Sequence, residues 1–266
     1  MIENINLSQI KTKNKNKKQV IVRPVKIPRN IERQYQAQIK AYSNTFKQAV
    51  ITEIFPLIKE YTADGIGDNI NTILSGLTER FGLVANNIAS TMVNRVVSVN
   101  GKKTKTNINN AIGVDVENII ESENLSEFVE LQIIANTELI KSLPSDAIGD
   151  IRRIIMNGLT GGLRADDIEK LITNTTFKKM NNRIATIART ETAKINSQIA
   201  NRRYLNLGIT KAVWDATGDS RTRECHRVRD GKIFDINEGL YSSCDGKTLQ
   251  AGQDFNCRCV ARPIIQ

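Results

Sequence analysis

Leu207-Gly208-Ile209-Thr210-Lys211-Ala212-Val213-Trp214-Asp215 is the stretch at which this sequence changes its grammar. On its amino-terminal side Ile184, Ile187, Ile195, Ile199 and Leu205 keep a helical spacing, and Gly208 is a natural stop. Met180 to Leu207 therefore reads as one long helix. On its carboxy-terminal side the runs are short. Lys211 to Asp215 and Lys232 to Phe234 have strand character, and the pairs Asp230-Gly231 and Asp245-Gly246 have turn character. Such a change marks a domain boundary, placed near residue 178 with the long helix in the second domain. The expected fold class is α+β: an extended basic N-terminal arm over residues 1–30, an all-helical body over 31–177, and a small α+β C-terminal domain with short strands over 178–266.

Working back from that boundary, apolar residues recur at helical intervals and strand signals are almost absent. Tyr35, Ile39, Tyr42, Phe46, Val50 and Ile54 line one face of a helix running to about Tyr61, with Pro56 disturbing its last turn. After the break at Asp64-Gly65-Ile66-Gly67-Asp68, the residues Ile70, Ile73, Leu74, Leu77 and Phe81 resume the pattern, and Val84, Ile88, Met92 and Val96 extend it. Asn100 to Thr106, polar and basic, reads as an exposed loop. Further helices are expected over Asn107 to Ile120, Ser126 to Leu143, Ser145 to Gly158 and Ala165 to Thr173, with Ser126 and Ser145 as N-caps.

The first thirty residues hold most of the charge excess. The chain has a net charge of +10. Eight basic residues of the arm face one acid, Glu3, whereas from Trp214 onward basic and acidic residues balance at eight each. The Lys/Asn/Thr alternation from Lys11 to Gln19 offers too little apolar surface to offset its ordering entropy, so a mobile segment is predicted. Two readings stand: a solvated tail, or an arm whose Lys11, Lys13, Lys15, Lys17, Lys18 and Arg23 neutralise nucleic-acid phosphates without sequence preference. The arm lacks aromatic residues to stack on bases.

Several function classes drop out. No apolar run approaches the roughly twenty residues of a membrane span, and Met1 to Ile10 lacks the order of a secretory signal, so synthesis in a bacterial cytoplasm is expected. Gly158-Leu159-Thr160-Gly161-Gly162 lies between helices and is no phosphate-binding loop; a serine nucleophile elbow and His-Glu-x-x-His are absent. A non-enzymatic protein is expected.

All four cysteines and the only histidine fall in the last fifth of the chain. Cys257 and Cys259, two apart in an extended segment, point to one side and can face a shared partner. With Cys225 and His226, or Cys244, they make a ligand set for a structural zinc, a useful staple in a small domain. A disulfide joining Cys244 to Cys257 or Cys225 to Cys259, and thiols packed as small hydrophobes, are the other two readings. No cofactor besides this possible zinc is expected. Arg189 and Glu191, two apart on a helix, cannot face each other. One of them is expected to pin the long helix to the turn Asp219 to Arg223.

Five elements in order carry a family resemblance: Arg189-Thr190-Glu191, Trp214, the Asp219-x-Arg221-Thr222-Arg223-x-x-His226 run, Asp230-Gly231, and Asn256-Cys257-Arg258-Cys259. Together they resemble the C-terminal domain of the minor head, or head morphogenesis, proteins of tailed bacteriophages, the type of protein F of phage Mu. The resemblance implies a virion protein at the portal vertex or inner capsid surface, present in few copies. It implies the portal protein or major capsid protein and packaged double-stranded DNA as partners, and a part in head assembly, DNA packaging or ejection. Nuclease or toxin domains are sometimes fused after this domain in relatives; with seven residues following Cys259 here, no such fusion is expected. Two rival readings remain: a small ribonuclease using His226 with Arg221 and Arg223, and a host-side DNA-binding regulator.

Overall fold

The computed structural model describes residues 19–60 and 66–265, apart from the side chains of residues 66–68, 78, 82 and 83. Backbone proximity divides the chain into two units. Among the described residues, one, here the helical unit, comprises 32–60, 66–92 and 130–188; the other, the mixed unit, gathers 19–31, 93–129 and 189–265. The single boundary expected near residue 178 is thus replaced by several crossings. A contiguous reading could not see them, because four helices run through from one unit to the other: α1 (Arg29–Glu53), α3 (Ile66–Ile112), α5 (Ser126–Thr160) and α7 (Lys178–Asn206).

In the helical unit, α1 (Arg29–Glu53) buries Tyr35, Ile39, Tyr42, Phe46 and Val50, spaced three or four apart on one face. Pro56 does not bend α1; it sits in the first turn of a separate helix, α2 (Phe55–Lys59), where its missing N–H costs nothing. The first half of α3 supplies Ile70, Leu74, Leu77, Phe81 and Ile88 to the core. Phe81 meets Tyr42 and Phe46 edge-on at centroid distances of 5.2 and 5.7 Å. Each such apolar side chain contributes about 1.5–3 kcal/mol through burial. Pro144 does not separate two helices, as expected, but lies inside α5 as a buried residue. Short α6 (Ala165–Leu171) leads through a π-helical segment, Ile172–Phe177, into α7, and Ile168 reaches Gly158 so closely that a Cβ there would lie 2.7 Å from it.

The mixed unit is built on an antiparallel sheet. β1 (Val20–Ile21), β2 (Lys211–Asp215), β3 (Ile233–Asp235) and β6 (Val260–Ile265) lie in the order β1-β6-β2-β3. The register sets Trp214 opposite Ala261 and Ala212 opposite Phe234. A second hairpin pairs β4 (Leu240–Ser242) with β5 (Lys247–Leu249); of two short helices in this unit, α4 (Glu117–Glu121) follows α3 and α8 (Glu224–Arg229) precedes β3. The core joins Val22, Val25, Ile108, Ile112, Tyr204, Trp214 and Phe234 with Cys257 and Cys259.

Two expectations are corrected here. Residues 20–28 are not part of a free arm. β1 pairs with β6, Val22, Val25 and Ile27 are buried, and the carbonyls of Arg23, Pro24 and Val25 accept from Asn107 and Asn196 at 3.0–3.2 Å. The apolar residues of this segment, Val22, Val25 and Ile27, supply its burial. Nor is 100–106 a loop: it is α3. Asn100 and Thr104 are fully buried, and Asn100 donates to the carbonyl and side-chain oxygens of Asn196 at 3.0 Å. Arg203 donates to Asn100 Oδ1 (2.8 Å), to the Val97 carbonyl (3.0 Å) and through Nε to both oxygens of Glu123 (2.8 and 3.0 Å). Gly101 makes room for it, since a Cβ there would lie 3.2 Å from the guanidinium. Composition signalled solvent; a satisfied polar network is what the residues serve.

Candidate metal centre

α8 presents two adjacent residues in different directions, as neighbours on a helix must. Cys225 turns to the β4–β5 hairpin and is joined to Cys244 in a disulfide with a Cα–Cα distance of 5.4 Å. His226 turns inward and is buried against the edge of Trp214, at 6.1 Å between ring centroids. The pairings Cys244–Cys257 and Cys225–Cys259 are therefore not formed, and Cys225 is not available to join His226, Cys257 and Cys259 as a ligand.

The lead-in to β6 brings the remaining thiols to the histidine. Asn256 adopts a left-handed backbone (φ 56°), among the described residues the only non-glycine to do so, a conformation asparagine tolerates. Its side-chain oxygen accepts from Arg189 at 2.9 Å and its N–H donates to Thr190 Oγ1 at 3.0 Å, fixing the segment to α7. Beyond it, Cys257 Sγ and Cys259 Sγ lie 3.5 and 3.4 Å from His226 Nδ1, both buried, and the Cys259 N–H donates to Cys257 Sγ. The three ligand atoms fall within 4.8 Å of one another. Opposite, His226 Nε2 is 3.1 Å from Asp254 Oδ2, and Arg223 holds that carboxylate and the Phe255 carbonyl.

Electrostatics in this knot favour the charged forms of Cys257 and His226. Hydrogen bonding from Cys259, then from His226, pushes the Cys257 thiol down, against its burial. The same hydrogen bond from the other side, with burial, pushes Cys259 up. His226 is raised by its bond to Cys257, against burial, and by Asp254. Burial works to raise Asp254, but the His226 bond and Arg223 bring it below the usual carboxylate range. One thiolate beside an imidazolium, or two thiolates around a cation, are the states this geometry suits. The adjoining cavity, lined by Thr217, Thr222 and Asn256 with three arginines, measures only about 20 Å³.

Residues 149–262 match the family described as Phage Mu protein F like protein. Over those residues the chain is similar to the phage Mu protein F type. An uncharacterised protein of Haemophilus influenzae (strain KW20 / Rd) is 32% identical over 182 residues, 68% of this chain and 39% of that relative. The chain thus spans well under half the length of that relative. No solved structure matches. Among the described residues no helix is long and apolar enough to cross a membrane.

Within the Mu F-like region the motif residues interlock, though not in the pattern expected. The turn at Asp219 is held by Arg258, the residue between the two cysteines, through paired bonds of 2.5 and 2.6 Å. That pairing holds the Asp219 carboxyl well below the usual range despite some desolvation. Thr222 caps Asp219 at 3.2 Å, and Arg221 is 3.5 Å away and exposed. On α7, Arg189 reaches Asn256 at 2.9 Å, and Glu191 pairs with Lys194 at 3.2 Å. Asp230 accepts from the Ala216 N–H at 2.8 Å, and Gly231, with φ 73°, donates to the Trp214 carbonyl.

Other key residues of the Mu F-like region were not read from sequence. Arg229 is fully buried over the Trp214 ring at 5.5 Å, bonded to both oxygens of Asp245 (2.9 and 3.0 Å) and to three carbonyls. α8 is too short for periodicity to single it out among its neighbouring arginines. Asp254 stood unremarked two residues ahead of Asn256. Lys11, Lys13, Lys15, Lys17 and Lys18 lie outside the described residues. Arg23 is exposed, and with Lys26, Lys103, Arg262 and Asp215 it lines a cavity of about 650 Å³.

Proposed function

We propose that this protein is a minor structural protein of a tailed-phage head, placed at the portal vertex or inner capsid surface beside packaged double-stranded DNA, with a non-enzymatic part in assembly, packaging or ejection. The observation that carries the reading is the interlocking of the family's motif residues: Arg189 and Thr190 with Asn256, Asp219 with Arg258, His226 with Cys257 and Cys259. These residues are spent on fastening α7, the Asp219 turn and β6 together. A ribonuclease would need room for a phosphodiester beside its base, and the cavity at His226 accepts little more than one water.

Support for a DNA-facing side comes from the 650 Å³ cavity, where Arg23, Lys26, Lys103 and Arg262 meet a single acid, Asp215. Burial raises the Asp215 carboxyl, and Arg262 and Lys26 counter this. A neighbouring cavity of about 330 Å³ adds Arg29 and Arg258. Phosphates bound there would displace counterions, so affinity should be sequence-blind and fall steeply with salt.

Mass spectrometry of purified virions tests the placement: the chain should be found in mature or prohead particles, and absence from both would overturn it. DNA binding is tested with residues 1–18 deleted and, separately, with Lys26, Lys103 and Arg262 changed to Gln. A shallower salt slope in either variant supports the DNA-facing side. Cleavage of labelled RNA by the purified protein, abolished in His226→Ala, would replace this reading with an enzymatic one.

A further inference from the structure

We propose that His226 Nδ1, Cys257 Sγ and Cys259 Sγ are three protein ligands of one zinc ion, with a water as the fourth. The proposal is independent of the role in the phage head. Its first ground is distance. With Zn–S of about 2.3 Å and Zn–N of about 2.0–2.1 Å at a tetrahedral angle, nitrogen and sulfur stand about 3.5–3.6 Å apart. The two separations here are 3.5 and 3.4 Å.

The second ground is the hydrogen-bonded shell. Asp254 Oδ2 accepts from His226 Nε2, which puts the proton on Nε2 and aims the Nδ1 lone pair at the two sulfurs. A carboxylate behind a ligating histidine is the usual support of a zinc site. Arg223 fixes that carboxylate in turn, and the Cys259 N–H donates to the Cys257 sulfur.

Ligand chemistry and space then choose the ion and its role. Two thiolates and a neutral imidazole suit zinc rather than magnesium, calcium or manganese, and two thiolates balance its charge in a buried place. Among the described residues no further side chain joins the group. The 20 Å³ cavity beside it admits a water but no substrate, since small-molecule pockets run to hundreds of Å³. The ion would therefore act as a staple between α8 and the start of β6. The Cys225–Cys244 bond fastens the other side of the same helix to the β4–β5 hairpin.

The test uses full-length protein purified under reducing conditions without chelator. Elemental analysis should find about one zinc per chain, and cobalt exchanged into the site should show thiolate-to-cobalt charge transfer with tetrahedral d–d absorption. Cys257→Ser, Cys259→Ser and His226→Ala should each lose the metal, whereas Cys225→Ser with Cys244→Ser should keep it. Asp254→Asn should weaken zinc binding by about 10–100-fold with the circular dichroism unchanged. If the ligand variants fail to fold, the stoichiometry and cobalt spectrum of the unaltered chain decide alone. Protein that carries no zinc and takes none up in titration, or metal retained when both Cys257 and Cys259 are Ser, overturns the proposal.

Discussion

The two units bury similar aliphatic stripes yet are fastened differently. In the helical unit the ion pairs lie on the surface, as with Arg80 and Glu53, whose arginine side chain is 55% exposed. The mixed unit has exposed pairs too, such as Arg221 with Asp219, but two of its arginines are paired inside: Arg203 is 3% and its partner Glu123 7% exposed, and Arg229 is fully buried. Exposed pairs contribute about 0–1 kcal/mol, while removing one member of a buried pair strands the other charge. The comparison teaches that the helical unit is held by packing, and the mixed unit by polar groups with no slack in their partners.

The largest effect that would break this contrast is at Arg203. Arg203→Ala leaves Glu123 and Asn100 without their buried partner and should cost the mixed unit about 3–5 kcal/mol. The single tryptophan, Trp214, lies in that unit, so its fluorescence during urea unfolding reports there alone, with far-ultraviolet circular dichroism following the helices. A loss below 1 kcal/mol would place Arg203 in the same class as Arg80. Next in size, Cys225→Ser with Cys244→Ser opens a loop of 19 residues' separation and should cost about 3 kcal/mol by the same probe.

Acid sharpens the contrast further. Its bond to Arg229, against some desolvation, brings the Asp245 carboxyl down to about 2. A folded value below the unfolded one means the stabilisation is whole above about pH 4 and is lost as pH falls towards 2. The tryptophan signal should therefore lose stability across that window, and Asp245→Asn should flatten this part of the profile. Smallest of all, Arg80→Ala in the helical unit should change stability by less than about 1 kcal/mol; a larger change in the dichroism melt would erase the distinction between the units.

How much of this was legible depends on how far each residue's partner lies along the chain. α1, α7 and β2 were readable because period and stop signals are local, as at Tyr35 to Ile54 and at Gly208. The same-side placement of Cys257 and Cys259 follows from the two-residue repeat of extended chain. Asn100, Gly101 and Thr104 looked like loop because their partners, Asn196 and Arg203, stand about a hundred residues away. Likewise the strap at residues 20–28 looked like tail until β6 was beside it. At the centre, adjacency in sequence misled: Cys225 and His226 were grouped, although a helix turns them apart, and Asp254 was passed over because nothing nearby marks it as the partner of a histidine 28 residues earlier.

β6 lies between β1 and β2, so the middle strand of the sheet is the last to be synthesised. By the time residue 188 has been translated, every segment of the helical unit exists. At typical elongation rates roughly 4–15 s more must pass before residues 260–265 are added and begin to leave the ribosome. During that interval β1 and one edge of β2 have no mate, and such edges invite pairing with other chains. A product that stops short of β6 would thus be a hazard to its own polysome, and protection of both edges waits on residues 260–265.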